Sequence, residues 1–386
     1  MGRRIGARPV CGLTFALNLS ILCNRGINKL EDLHVLARDV GIFSLAALLA
    51  WACCAQAASA GSTLLFDFKD GHVLYAEDLD QPWYPASLTK MMTAYLAFTA
   101  IREKKATRET RIFISPAAHK MPPTRLGLKV GKDISLDDAL RALMLRSAND
   151  IAVAIAETLG GDEASFVKEM NQMAARLGMA HTHFINPHGL PEENQVTTAR
   201  DMGLLAQALL RDFPEEAPLY SLTKATIGDI TIGSHNALLT SFPGGDGIKT
   251  GYTCASGYNL AASATRDGRQ LIAIVLGEPS NNARTARAAA LLENGFRTHA
   301  WKTAFPIARI DNYPSDVVGS GFEPDALMLE RFRACKAPPP PPPTPAETAS
   351  ATKPKTEAGA AVRKVSAKPA APKKVQNNKK KPRAHK

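Results

Sequence analysis

Apolar residues fall in two short runs, LLFDF and VLYA, within STLLFDFKDGHVLYAEDL (62–79), and the polar stretch between them carries Asp70-Gly71. The pattern predicts two strands joined by a turn. The pattern then changes. SLTKMMTAYLAFTAI contains neither Gly nor Pro and is made of helix formers, so it predicts a buried helix starting near Ser87. SLDD (135–138) reads as a capping box before ALRALML, NDIAVAIAETL predicts a helix from about Asn149, and ASFVKEMNQMAARLG predicts another that stops at Gly178. TARD (198–201) caps the run MGLLAQALL. From Ile227 the pattern returns to strands in TIGDITIG, IKTGY, YNLAASAT and QLIAIVL, with Asp267-Gly268 turning between the last two and a helix over about 283–296 closing the region. Strands first, helices in the middle and strands with a helix last predict an α/β (α+β) fold. Both ends of the domain build an antiparallel sheet flanked by helices, with a mainly helical subdomain inserted. A ligand site is expected where sheet meets insert.

Composition refines this picture. The chain has 386 residues, 45% of them hydrophobic, which is enough for a substantial core. Its formal charge of +11 is unevenly placed: residues 336–386 hold 13 Lys and Arg against Glu347 and Glu357, so 13 − 2 = +11, and the rest is neutral. A basic, nucleic-acid-binding core is thereby excluded. The Pro, Ala and Lys-rich stretch that starts at Pro338 predicts a disordered basic tail, either a spacer or an attachment to anionic lipid or acidic wall polymer. GIFSLAALLAWACCAQAASA (41–60), apolar over 41–54 and ending in AQA and ASA, predicts a signal peptide cleaved after Ala57 or Ala60, hence export to the periplasm or cell envelope. The apolar patch and acidic run that precede it suggest a translation start near Val35 or Leu36. The expected organisation is a leader (1–60), a folded domain (61–310), a short connector (311–335) and the tail (336–386).

Four cysteines fall in the leader, leaving Cys254 and Cys335, which make no framework for a fold of this size. His181, His183 and His188 are close together, but HxH before a prolyl turn reads as polar surface rather than as a zinc site, and no metal or other cofactor is expected.

The tetrapeptide SLTK occurs twice, at 87–90 and 221–224. In the first copy the helical pattern places Lys90 one turn beyond Ser87 on the same face, where it can serve a nucleophile as base. The second copy leads into ATIGDITI, an extended pattern in which residues three apart point to opposite faces. Two further motifs follow in order: Ser147-Ala148-Asn149 at a helix junction and Lys249-Thr250-Gly251 in a strand. Each alone is weak, but the ordered set SxxK, SxN, KTG is the active-site triplet of penicillin-recognising serine enzymes.

With PASLTKMMTAYLAF, RSANDIAVAIAE, NPHGL, TARDM and DGIKTGYTCASGYNLAASAT, residues 62–296 resemble the low-molecular-mass penicillin-binding proteins that act as D-alanyl-D-alanine carboxypeptidases. The resemblance implies a β-lactamase/transpeptidase-like fold. It also implies Ser87 as nucleophile, Lys90 as its base, made neutral by burial and by Lys249, and Ser147 as proton relay held by Asn149 and Lys249. The N–H groups of Ser87 and Tyr252 would form an oxyanion hole, and Lys249, Thr250 and Arg284 would meet the substrate carboxylate, while Gly251 belongs to the same strand motif. His188 and Arg200 are expected to be structural. Peptidoglycan pentapeptide stems are the implied substrate and β-lactams the implied inhibitors. Two alternatives remain open: a class A-like β-lactamase, for which the required E-x-x-x-N spacing is absent between Ser147 and Lys249, and a non-catalytic wall-binding scaffold. The family often adds a small β domain and an amphipathic terminal helix. Residues 311–336 are too few for that domain, and the tail is not amphipathic.

Overall fold

The computed structural model describes residues 61–303, 308–315 and 324–336; the expected leader and tail lie outside the described residues. Strand β1 (Thr63–Asp67) turns back at Gly71 (φ +76°) into β2 (Val73–Glu77). A 3-10 turn, Ala86–Thr89, runs directly into helix α1 (Lys90–Arg102). The helical insert follows, comprising β3 (Arg111–Phe113), α2 (Pro116–His119), β4 (Asp133–Ser135), α3 (Leu136–Arg141), a π-helical turn Ala142–Arg146, α4 (Asn149–Gly160), α5 (Glu163–Arg176), α6 (Ala199–Asp212) and α7 (Ala217–Ser221). Ser135, Asp162 and Thr198 each accept a hydrogen bond from the backbone N–H three residues on, which fixes where α3, α5 and α6 begin. The chain then forms the hairpin β5 (Lys224–Ile227) and β6 (Ile230–Gly233), helix α8 (Leu238–Ser241), the meander β7 (Gly245–Thr253), β8 (Gly257–Arg266) and β9 (Arg269–Glu278), helix α9 (Asn281–Lys302) and helix α10 (Ala326–Lys336).

Five strands make one antiparallel sheet in the order β2-β1-β9-β8-β7, so β1 from the start of the domain pairs with β9 from its end. Both faces are covered. Leu64, Phe66, Ile272, Ile274 and Leu276 point into the large core shared with α1, α4 and α6, whereas Leu65, Leu271, Ala273 and Val275 pack beneath Leu291 and Leu292 of α9. Alternation along a strand thus sorts side chains between two cores rather than between core and water. β7 has β8 on one side only and presents its other edge to the helical insert.

Four features depart from the sequence expectation. The β3–β4 pair and the π-helical turn carry no strong local signal and depend on packing. α9 extends six residues past Phe296, because His299 anchors its last turn by a 2.7 Å bond to Asp67. The expected connector, 311–335, is corrected. It contains most of α10, which buries Met328 and Phe332 against Tyr84, Val196 and Ala255 and is tied to the β7–β8 turn by a Cys254–Cys335 disulfide.

Arg200 fixes the chain beyond α9 to the entrance of α6. Its guanidinium pairs with both carboxylate oxygens of buried Asp80 at 2.7 and 2.8 Å and donates to the Ile310 and Tyr313 carbonyls. Burial pushes the Asp80 carboxyl upward, but the bonds from Arg200 and Ser315 outweigh it and hold the group below its ordinary value. Arg200→Met is therefore expected to cost about 3 kcal/mol of unfolding free energy at pH 7, since Asp80 would stay buried without its partner. A lowered folded-state value contributes stability above the unfolded value of 3.8 and loses it as the pH falls further, so the gap between variant and wild type should close below that pH in denaturant titrations.

Candidate active site

Ser87 lies in the 3-10 turn and Lys90 is the first residue of α1, so the pair spans the junction rather than the first turn of a regular helix. The Lys90 ammonium nitrogen, fully buried, is 3.0 Å from Ser87 Oγ and 2.8 Å from Asn149 Oδ1, and it donates to the His188 carbonyl. Burial lowers the Lys90 pKa well below its ordinary value, Lys249 lowers it further, and Asp150 opposes the shift. A neutral amine has two N–H donors and one lone pair. Asn149 Oδ1 and the His188 carbonyl can take the two donors, leaving the lone pair for the Ser87 hydroxyl proton.

Backbone strain brackets this pair. Ala86, just before Ser87, has φ +48°, and Ser147 ends the π-helical turn in the left-handed region (φ 59°, ψ 38°). A non-glycine residue pays for this conformation only when its surroundings hold it there. The Ser147 carbonyl accepts a 2.8 Å bond from Thr124 Oγ1, while its own hydroxyl is buried with no partner among the described residues. Asn149 opens α4 with its amide donating to the Pro122 carbonyl at 2.9 Å and its backbone N–H to Thr124 at 2.8 Å, which aims Oδ1 at Lys90.

The free edge of β7 closes the opposite wall. Lys249 is buried, its amine 3.1 Å from the Thr250 carbonyl, and burial followed by repulsion from Arg284 lowers its pKa to about 7. Gly251 passes so close to the serine turn that a Cβ there would sit 3.1 Å from Ser87 N and 3.2 Å from the Pro85 carbonyl oxygen. Arg284, in the first turn of α9, bonds the Asn259 carbonyl at 3.2 Å and lies 5.7 Å from the Tyr258 ring centroid; burial brings its pKa to about 10. Tyr252 stands exposed, stacked on Tyr258 at 4.2 Å. Ser87, Ser147, Asn149, Thr250, Gly251, Tyr252 and Arg284 all line one cleft of about 630 Å³, with Lys90 and Lys249 buried beside it.

The second SLTK is elsewhere. Ser221 ends α7 and donates to the Pro218 carbonyl, and Lys224 begins β5, so helix end and strand start share the motif. His188, expected to be a structural turn residue, has a second part to play, because its carbonyl holds Lys90 while its Nδ1 accepts from Leu190 N–H. Burial, then the Lys90 charge, brings its imidazole to about 3. Sequence reasoning missed this carbonyl, since any residue could supply one. It also missed Asn259, whose amide donates to the Tyr84 and Pro85 carbonyls at 2.9 and 3.1 Å and so fixes the chain leading into Ser87. A buried Asn inside the apolar run YNLAASAT was the available signal. Among the described residues, no group of three His, Cys, Asp or Glu side chains could hold a metal ion.

Comparison with known proteins places this cleft in context. The peptidase S11 family model, described as D-alanyl-D-alanine carboxypeptidase, matches residues 51–280. The chain is 37% identical over 243 residues to D-alanyl-D-alanine carboxypeptidase DacA of Haemophilus influenzae, covering 62% of each chain. It is 36% identical over 260 residues to DacC of Escherichia coli, covering 66% of this chain and 64% of that one. The chain thus spans less than two thirds of these curated relatives. Penicillin binding protein 5 from Haemophilus influenzae superposes with a TM-score of 0.60 at 36% identity, over 62% of this chain and 71% of that one. Penicillin-binding protein D2 from Listeria monocytogenes, solved in an ampicillin-bound form, gives 0.57 at 31% identity, over 61% and 97%.

The Gly251 contact makes a sharp prediction. In Gly251→Ala the new methyl meets backbone atoms that cannot swing aside, so the serine turn must shift by a few tenths of an ångström. Covalent labelling by a fluorescent penicillin should slow about 100-fold in a protein that still unfolds cooperatively. Labelling at the wild-type rate would show that the strand and the serine turn are not held in register.

Proposed function

The chain belongs to the D-alanyl-D-alanine carboxypeptidase family, and on that premise we propose that it is a serine-type D,D-carboxypeptidase that removes the terminal D-alanine from peptidoglycan pentapeptide stems. The observation that carries this reading is the buried Lys90 amine bridging Ser87 Oγ, Asn149 Oδ1 and the His188 carbonyl. Ser87 attacks the carbonyl between the two D-alanines as Lys90 takes its proton. The N–H groups of Ser87 and Tyr252 receive the oxyanion, and Ser147, whose buried hydroxyl has no partner among the described residues, passes a proton to the leaving amine. Water then hydrolyses the ester.

Electrostatics support the division of labour between the two lysines. A substrate carboxylate arriving beside Lys249, Thr250 and Arg284 favours the charged form of Lys249, whose pKa of about 7 leaves it free to take up or release a proton at neutrality. A charged Lys249 in turn keeps Lys90 neutral. Binding the correct substrate thus prepares the base. Penicillins would acylate the same serine, and no observation favours the β-lactamase alternative.

Ser87→Ala is expected to abolish labelling by a fluorescent penicillin, and Ser221→Ala to leave it unchanged. Mass spectrometry of a D-Ala-D-Ala pentapeptide treated with the protein should show loss of one alanine. An unaltered peptide, or labelling that persists in folded Ser87→Ala, would overturn the assignment.

The site of action on this reading is the periplasmic or envelope side, with the basic segment 336–386 meeting anionic lipid or acidic wall polymer; it alone supplies the net +11. Deleting 337–386 should leave turnover of a soluble peptide nearly unchanged but weaken retention on isolated envelopes. Retention of the full chain should fall with salt, as exposed charges are screened within about 8 Å at physiological ionic strength. Equal retention of both forms at low salt would remove the tail from the mechanism.

A further inference from the structure

Helix α10 touches both walls of the cleft through the segments that precede and follow the reacting residues. On one side, Met328 and Phe332 pack on Tyr84, three residues before Ser87, with the Phe332 and Tyr84 rings 5.8 Å apart. Arg331 lies 4.8 Å over the Trp83 ring, and Asp325 accepts a hydrogen bond from Gln81. On the other side, Cys335 is joined to Cys254, two residues beyond Tyr252. The two flanks meet again at Asn259 of β8, which bonds the Tyr84 and Pro85 carbonyls. The serine turn and the free edge of β7 are otherwise held in register by close packing at Gly251.

We propose that α10 and its Cys254–Cys335 bond form a thiol-sensitive buttress that positions Ser87 relative to the Lys249–Tyr252 strand. The helix acts through Trp83, Tyr84 and Cys254 rather than on substrate, and the disulfide keeps it docked although its apolar contact is small. A dithiol reductant gives two electrons and two protons to the bond, leaving Cys254 and Cys335 as thiols while the reductant closes to its own disulfide. α10 can then leave the Tyr84 surface, and the serine turn loses one support. The inference rests on the proposed acyl-enzyme chemistry at Ser87.

The test measures the second-order rate of acylation by a fluorescent penicillin, and kcat and KM for D-alanine release, at a temperature where every form is folded by circular dichroism. Dithiothreitol should slow acylation of the wild type about ten-fold, mainly through kcat, and reoxidation should restore it. Cys254→Ser/Cys335→Ser should show the slow rate with or without dithiothreitol. Phe332→Ala with the disulfide intact should fall between. A general loss of stability would leave the acylation rate of protein that stays folded unchanged on reduction. Reduced wild type and double variant acylating at the oxidised wild-type rate would overturn the buttress. If the double variant does not fold, the reduced and reoxidised wild type decide alone. An oxidised wild type that never acylates would instead refute the reading of Ser87 itself.

Discussion

Taking a lysine ammonium out of water costs several kcal/mol unless it is neutralised or surrounded by compensating groups, and Lys90 is fully buried. The fold meets that cost with two oxygens supplied from different parts of the chain, Asn149 Oδ1 at the start of α4 and the carbonyl of His188 in the loop before α6. Both are neutral acceptors, not carboxylates. They satisfy an amine without holding it charged, which a direct carboxylate partner would do. Asp150 works against the shift but spends its oxygens on the N–H groups of Leu126, Gly127 and Ile151. The lowered Lys90 value is thus a property of the assembled helical insert, and the insert's loops are arranged around it.

The same constraint explains where the backbone is strained. Ala86 and Ser147 adopt left-handed conformations on either side of Lys90, and each is followed within two residues by one that reaches it: Ser87 after Ala86, and Asn149 after Ser147. Regular helix at either place would carry those side chains along the helix surface instead of toward a common point. The sheet supplies the rigid counterpart. β7 is paired along one edge and buried through Lys249 and Thr250, so it can hold a second cation close to Lys90 without yielding.

Much of this was legible in the sequence. Apolar strand-like runs marked the strands that build the sheet, cap residues marked the starts of α3 and α6, and the order of three short motifs pointed to the cleft. What escaped was of two kinds. Backbone groups such as the His188 carbonyl carry no residue signature, and neither does the five-residue π-helical turn that delivers Ser147, because its conformation is set by tertiary packing. The other kind was long-range. Cys254 and Cys335 are 81 residues apart, and only the return of α10 to the β7–β8 turn brings them together, so a count of cysteines could not reveal the pair. The short amphipathic signal of ALMLERFRACK, with Met328 and Phe332 four residues apart, was present but too brief to separate a docked helix from a connector.

Placing Lys90, Lys249 and Arg284 around one cleft also sets what the rest of the molecule must do. Burial first, and repulsion after it, lowers the Lys90 and Lys249 values, so the cleft disfavours its own fully charged state. A carboxylate placed in the cleft would relieve that tension, and in its absence the fold has to contain it. The containing elements lie outside the cleft: a sheet buried on both faces, the Arg200–Asp80 pair that ties the chain beyond α9 to α6, and α10 bonded across the β7–β8 turn. The net charge of the sequence is no guide to any of this, since residues 1–335 are neutral overall while the site within them is cationic. It is burial and local imbalance, held by distant neutral packing, that keep both lysines below their ordinary range.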